Sequence, residues 1–129
     1  MDIAAAASER YLVDRVMTAS PAELTAMLYD AAVGALRSAQ RLQGEQQHLA
    51  ALPRIQKAQD IVLELRSTLN HDAGDLASHL DALYTWCWTR LLDASTARGG
   101  TGIADALEVL APLQEAWRAS CCTLTARAS

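Results

Sequence analysis

Asp75 and His79 stand four residues apart, so on a helix a carboxylate and an imidazole would share one face, as in half of a metal site. No further ligand accompanies them, and two solvated polar side chains explain the spacing far better. Gly99-Gly100-Thr101-Gly102 is glycine-rich, as phosphate-cradling loops are, but no Lys-Ser or Lys-Thr follows, so no P-loop forms. A di-iron carboxylate bundle needs Glu-x-x-His on two helices, and the chain does not supply two. Cys87, Cys121 and Cys122 are odd in number, and the adjacent pair lacks zinc-knuckle spacing. They read as reduced thiols in a reducing compartment. His79 on a helix would suit a phosphate relay of the His-phosphotransfer kind, which is the alternative reading of the chain. Against it, no Lys or Arg stands nearby to steady a phosphoryl group, and Asp81 would repel one. The expectation is a protein without catalytic residues, metal or cofactor.

The elements that would position these residues are helices. Ser20 suits an N-cap, Pro21 the first helical position, and Glu23 closes a capping box. A helix is expected from about Pro21 to Leu42, a second from Pro53 to Leu69, a third from Leu76 to Ala94 and a fourth from Ile103 to Cys121. Asn70 to Gly74 reads as a turn, with Asp75 capping the next helix, and residues 97–102 as a break. Pro112 should kink the fourth helix or open one hydrogen bond. Residues 1–19 form an apolar, Ala-rich N-terminal arm, residues 20–122 the bundle, and residues 123–129 a short polar tail. The fold class is all-α, an antiparallel four-helix bundle.

Helical periodicity assigns core stripes. These are Leu24, Met27, Leu28, Ala31, Ala35 and Leu42 in the first helix, and Ile55, Ala58, Val62, Leu65 and Leu69 in the second. Leu76, Leu80, Leu83, Cys87, Leu91 and Ala94 serve the third. Ile103, Ala106, Leu107, Leu110, Leu113 and Trp117 serve the fourth. Apolar residues remain: Tyr29, Val33 and Leu36 on the first helix, Leu63 on the second, Trp86, Trp88 and Leu92 on the third, and Val109 on the fourth. Such surplus stripes would form grooves for an amphipathic helix from a partner, or let two copies meet as a homodimer.

The chain is 51% hydrophobic and 20% charged, with a net charge of -4 and no basic block, which argues against nucleic acid. It shows neither a signal-peptide core nor an apolar run long enough to span a membrane, so no membrane insertion and a cytoplasmic location are expected.

Four ordered elements resemble the flagellar secretion chaperone FliS family. They are Tyr11 with Val16-Met17-Thr18-Ala19-Ser20-Pro21-Ala22-Glu23-Leu24 and Met27-Leu28-Tyr29-Asp30; Lys57 to Leu65; Leu80, Leu83-Tyr84 and Leu91; and Leu110, Leu113 and Trp117. The resemblance implies a non-enzymatic bundle that binds the C-terminal segment of flagellin in hydrophobic clefts. It would prevent premature polymerisation and dock at the flagellar export gate at the membrane. It also implies that Tyr11 matches a tyrosine covering the free cleft. Thr85-Trp86-Cys87-Trp88 and Pro112 depart from the family pattern. Tyr11, Tyr29, Val33, Ile61, Trp88 and Leu92 are expected to form the contact group, with Leu24, Leu28, Leu65 and Leu83 in the core.

Overall fold

The computed structural model describes residues 3–96 and 100–128, with side chains described for 9–14, 17–72, 74–96 and 100–120. Among them the chain forms α1 (Ile3–Thr18), α2 (Pro21–Gly44), α3 (His48–Ser67), a single 3-10 turn (His71–Ala73), α4 (Asp75–Thr96) and α5 (Gly102–Ala128). The expected arm is itself a helix, and helix continues through most of the expected tail. Residues 97–99 and the side chains of Cys121 and Cys122 lie outside the described residues.

The start of α2 follows the expected chemistry at Ser20 and Pro21. Ser20 is extended (φ -69, ψ 164) and its hydroxyl accepts from the Glu23 N–H at 3.2 Å, with Pro21 in the first turn. Its end is less regular. Gln46 takes a left-handed conformation (φ 63) while the Gln47 N–H donates to the Leu42 carbonyl at 2.8 Å and the Gln46 N–H to Gln43 at 3.1 Å. That is a Schellman stop built on glutamine where glycine would fit without strain. The tight reversal lets α3 begin at His48, a turn earlier than Pro53 suggested, so Pro53 lies inside the helix.

α2 packs on α3 and α5, and α4 packs on the same two, which closes a four-helix ring with short connections between successive antiparallel helices. At Gly102 the N-terminus of α5 presses against α4. A Cβ there would overlap the Arg90 carbonyl and meet the Ala94 Cβ at 3.0 Å, so this crossing needs glycine.

The core draws Tyr29, Ala32, Val33, Ala35, Leu36 and Ala39 from α2, and Ala51, Ile55, Ala58, Val62 and Leu65 from α3. Tyr84, Cys87, Leu91 and Ala94 come from α4, and Ile103, Ala106 and Leu110 from α5. The stripes expected on α3 and α5 are largely those observed. On α2 Ala35 is core as expected, but otherwise the expectation is reversed: the face bearing Tyr29, Val33 and Leu36 turns inward, and Leu24, Met27 and Leu28 are only half-buried. At roughly 100° per residue the two stripes sit side by side, and periodicity cannot tell which one meets the neighbouring helices. On α4, Leu76 and Leu83 are likewise exposed rather than core.

Polar links tie adjacent helices at the rim. Asp30 on α2 accepts from Gln114 and Arg118 on α5, both at 2.8 Å. Arg66 on α3 pairs with Asp81 on α4 at 2.5 Å, and Arg90 on α4 with Asp105 on α5 at 3.0 Å. These pairs are partly solvated and contribute register more than stability.

Candidate functional site

Because the inward face of α2 is its Tyr29 face, the Leu24 face is left over, and it lines a cleft. The cleft lies at the end of the bundle where the first two turns of α2 face the end of α3. Leu24, Met27, Leu28 and Ala31 form one wall, Leu69 and Leu80 another, and Tyr84 and Trp117 the floor, enclosing about 820 Å³. Leu12 of α1 reaches its edge.

The floor is an aromatic cluster. Tyr29 stacks against Trp117 with ring centroids 6.4 Å apart and planes 26° from parallel. It meets Tyr84 in a tilted contact at 6.5 Å. The Tyr29 and Tyr84 hydroxyls hydrogen-bond to each other, so two buried polar groups satisfy one another inside an apolar setting. Burial first, and then the hydroxyl bond to Tyr84, push the Tyr29 phenol well above its usual value. Burial does the same to Tyr84. Both phenols therefore hold their protons at neutral pH, and the floor is uncharged.

Two smaller hollows share lining residues with the cleft. One, of about 340 Å³, lies between α3 and α4 over Val62, Leu63, Thr85 and Trp88, and shares Tyr84 with the cleft. The other, of about 220 Å³, lies between Leu76 of α4 and Leu113 of α5, and shares Leu80 and Trp117 with it. Arg66, paired with Asp81, also lines the first of these. Together the three hollows draw their lining from α1, α2, α3, α4 and α5.

The residues expected to make contact do not gather in one place. Tyr29 and Val33 are 0% and 1% exposed and belong to the core, a correction to their expected place on the surface. Tyr29 is held there because its hydroxyl finds Tyr84 and its ring finds Trp117. Tyr11 is 62% exposed on α1, and its neighbour Leu12 is the one that lines the cleft. Ile61 is half-buried against the core, Trp88 lines the α3–α4 hollow, and Leu92 is 41% exposed further along α4. The residues that sequence reasoning misplaced are Leu24, Met27 and Leu28, taken as core. The excess width of the apolar arc on α2 signalled a second face but not its direction.

The chemical candidates stay apart as well. Among the described residues no group of His, Cys, Asp and Glu could hold a metal ion. His79 stands exposed on α4. Cys87 is fully buried, and burial raises its thiol from the usual 9 to about 11, which leaves it protonated. Among the described residues no helix is long and apolar enough to cross a membrane.

Comparison with known proteins fits this arrangement. The family model described as "Flagellar protein FliS" matches residues 4–123. A protein of Bacillus subtilis (strain 168) named "Flagellar secretion chaperone FliS" is 30% identical over 109 residues, covering 84% of this chain and 80% of its own length. Proteins of the same name from Salmonella typhimurium and Vibrio cholerae are 31% and 28% identical. Each match covers 80% of this chain, and 78% and 76% of the respective relative.

Proposed function

Since the chain belongs to the FliS family, a family of chaperones rather than enzymes, we propose that it is a flagellar export chaperone whose guest is the C-terminal segment of flagellin. In this reading an amphipathic helix of the guest lies in the Leu24–Met27–Leu28 cleft, and further guest segments extend into the hollows beside Trp88 and Leu113. One observation carries it: a bundle with a complete core of its own still presents a cleft of about 820 Å³ with apolar walls, and two more hollows share lining residues with it. A small molecule would need only the cleft. A surface reaching from α2 to α4 suits a chain that lays successive helices into grooves.

The mechanism follows from burial. A guest segment that is disordered alone loses conformational entropy on binding, and broad apolar contact offsets that loss. While its sticky face is covered it cannot join other copies, and it remains available for transfer to the export apparatus. No bond is made or broken, so release comes from competition by the next binding partner. The work takes place in the cytoplasm, before export.

Isothermal calorimetry with a C-terminal flagellin segment tests this. A complex at tens of micromolar or tighter, roughly -6 kcal/mol or better, is expected. Absence of heat and of any complex at that concentration overturns it. Trp88→Ala should weaken the complex while leaving the bundle folded, and an unchanged affinity would remove the α3–α4 hollow from the binding surface.

A further inference from the structure

The charges around the cleft are one-sided. Among the described residues Glu64 is the only carboxylate or basic group in its lining, and Glu23 sits in the first turn of α2 beside Pro21 and Leu24. Among the described residues neither carboxylate takes part in an ion pair, whereas the neighbouring cations do. Arg66 is held by Asp81 at 2.5 Å and Arg118 by Asp30 at 2.8 Å. Asp72 and Asp75 follow Asn70, which also lines the cleft, and both are exposed.

We propose that this cleft selects guest helices whose apolar stripe is flanked by lysine or arginine. The inference rests on the reading of the cleft as a helix-binding groove and adds what chemistry that helix carries. When an amphipathic helix lies in an apolar groove, the residues beside its stripe come to rest at the rim. At this rim they meet carboxylates whose charge the protein leaves unpaired, within the screening distance of about 10 Å at 0.1 M salt. Each such contact is solvated and individually weak, so the rim discriminates between guests and adds little to the affinity supplied by the floor. An acidic flank meets repulsion at the same positions, which is discrimination against wrong guests.

The test uses the full chain and two synthetic amphipathic peptides with an identical leucine–alanine stripe, one flanked by lysine and the other by glutamate. In calorimetry at about 20 mM salt the lysine peptide should bind roughly three- to tenfold tighter. The ratio should fall towards one at about 500 mM salt. Combining Glu23→Gln with Glu64→Gln should remove most of the low-salt preference without unfolding the chain, because both side chains point to solvent. Equal binding of the two peptides at low salt, or a preference that survives the double variant, overturns charge selection while the groove stands. If neither peptide binds and the flagellin segment does not either, the groove reading itself falls and this inference with it.

Discussion

The reversal of α2 can be tested by truncating one residue on each of its apolar faces. Leu36 is fully buried among residues of the core, and Met27 is half-buried in the wall of the cleft. Leu36→Ala removes buried methyl groups and leaves a void that close-packed neighbours fill only in part, a loss of about 2–5 kcal/mol. Met27→Ala removes a side chain that already faces solvent on one side, and both residues are good helix formers, so the loss should stay under about 1 kcal/mol. A chain of this length has an unfolding entropy of about 0.27 kcal/mol/K near its midpoint. The corresponding falls in Tm are about 7–18 °C for Leu36→Ala and under about 4 °C for Met27→Ala. Thermal unfolding followed by circular dichroism reads both. The binding assay should rank them the other way: well below Tm, Met27→Ala weakens the flagellin complex and Leu36→Ala does not. Equal losses in Tm, or a larger one for Met27→Ala, would show that the Leu24 face is the core and would refute the placement of the cleft.

Tyr29→Phe and Tyr84→Phe should each cost about 1–3 kcal/mol by leaving one buried hydroxyl without a partner. The double variant should cost clearly less than their sum, and additive urea-denaturation energies would show that the two hydroxyls do not depend on each other. Stability should fall as pH rises above 9. The native Cys87 thiol keeps its proton up to about 11 while the unfolded thiol loses it, so unfolding releases a proton with a slope of about 1.4 kcal/mol per pH unit. Tyr29 and Tyr84, both raised above 10 by burial, steepen the fall beyond that point. Urea midpoints that stay flat between pH 9 and 10.5, or a slope there that Cys87→Ala does not reduce, would contradict this. Gln46→Gly should raise stability by about 1 kcal/mol, since the left-handed position after α2 strains a residue with a Cβ more than it strains glycine. A lower midpoint would mean that entropy lost from the unfolded glycine chain outweighs that relief.

Local chemistry made much of this protein legible. The Ser20-Pro21 cap starts α2 where it does because the Ser20 hydroxyl satisfies the Glu23 N–H within one turn. The apolar repeats of α3 and α5 pointed to their core faces because each of those helices has one dominant stripe. The surplus of apolar surface was also readable, since an arc as wide as that on α2 cannot be covered on both sides by two neighbours. The extra helix at the N-terminus and the early start of α3 were not; Gln47 before α3 makes no side-chain cap, and Gln46 stands where a glycine would have marked the reversal.

Tertiary structure alone decided which stripe of α2 faces in. Backbone geometry sets the angle between Leu28 and Tyr29, but only the neighbouring helices define the inward direction. The choice is stabilised by partners far along the chain, Tyr84 on α4 and Trp117 on α5, whose positions no local rule supplies. The same pairing places Tyr29 and Val33 in the core and sets Leu24, Met27 and Leu28 around a cleft that shares Tyr84, Leu80 and Trp117 with two smaller hollows. The sequence determined that the helices carry more apolar surface than one core needs, and the packing determined where the excess lies.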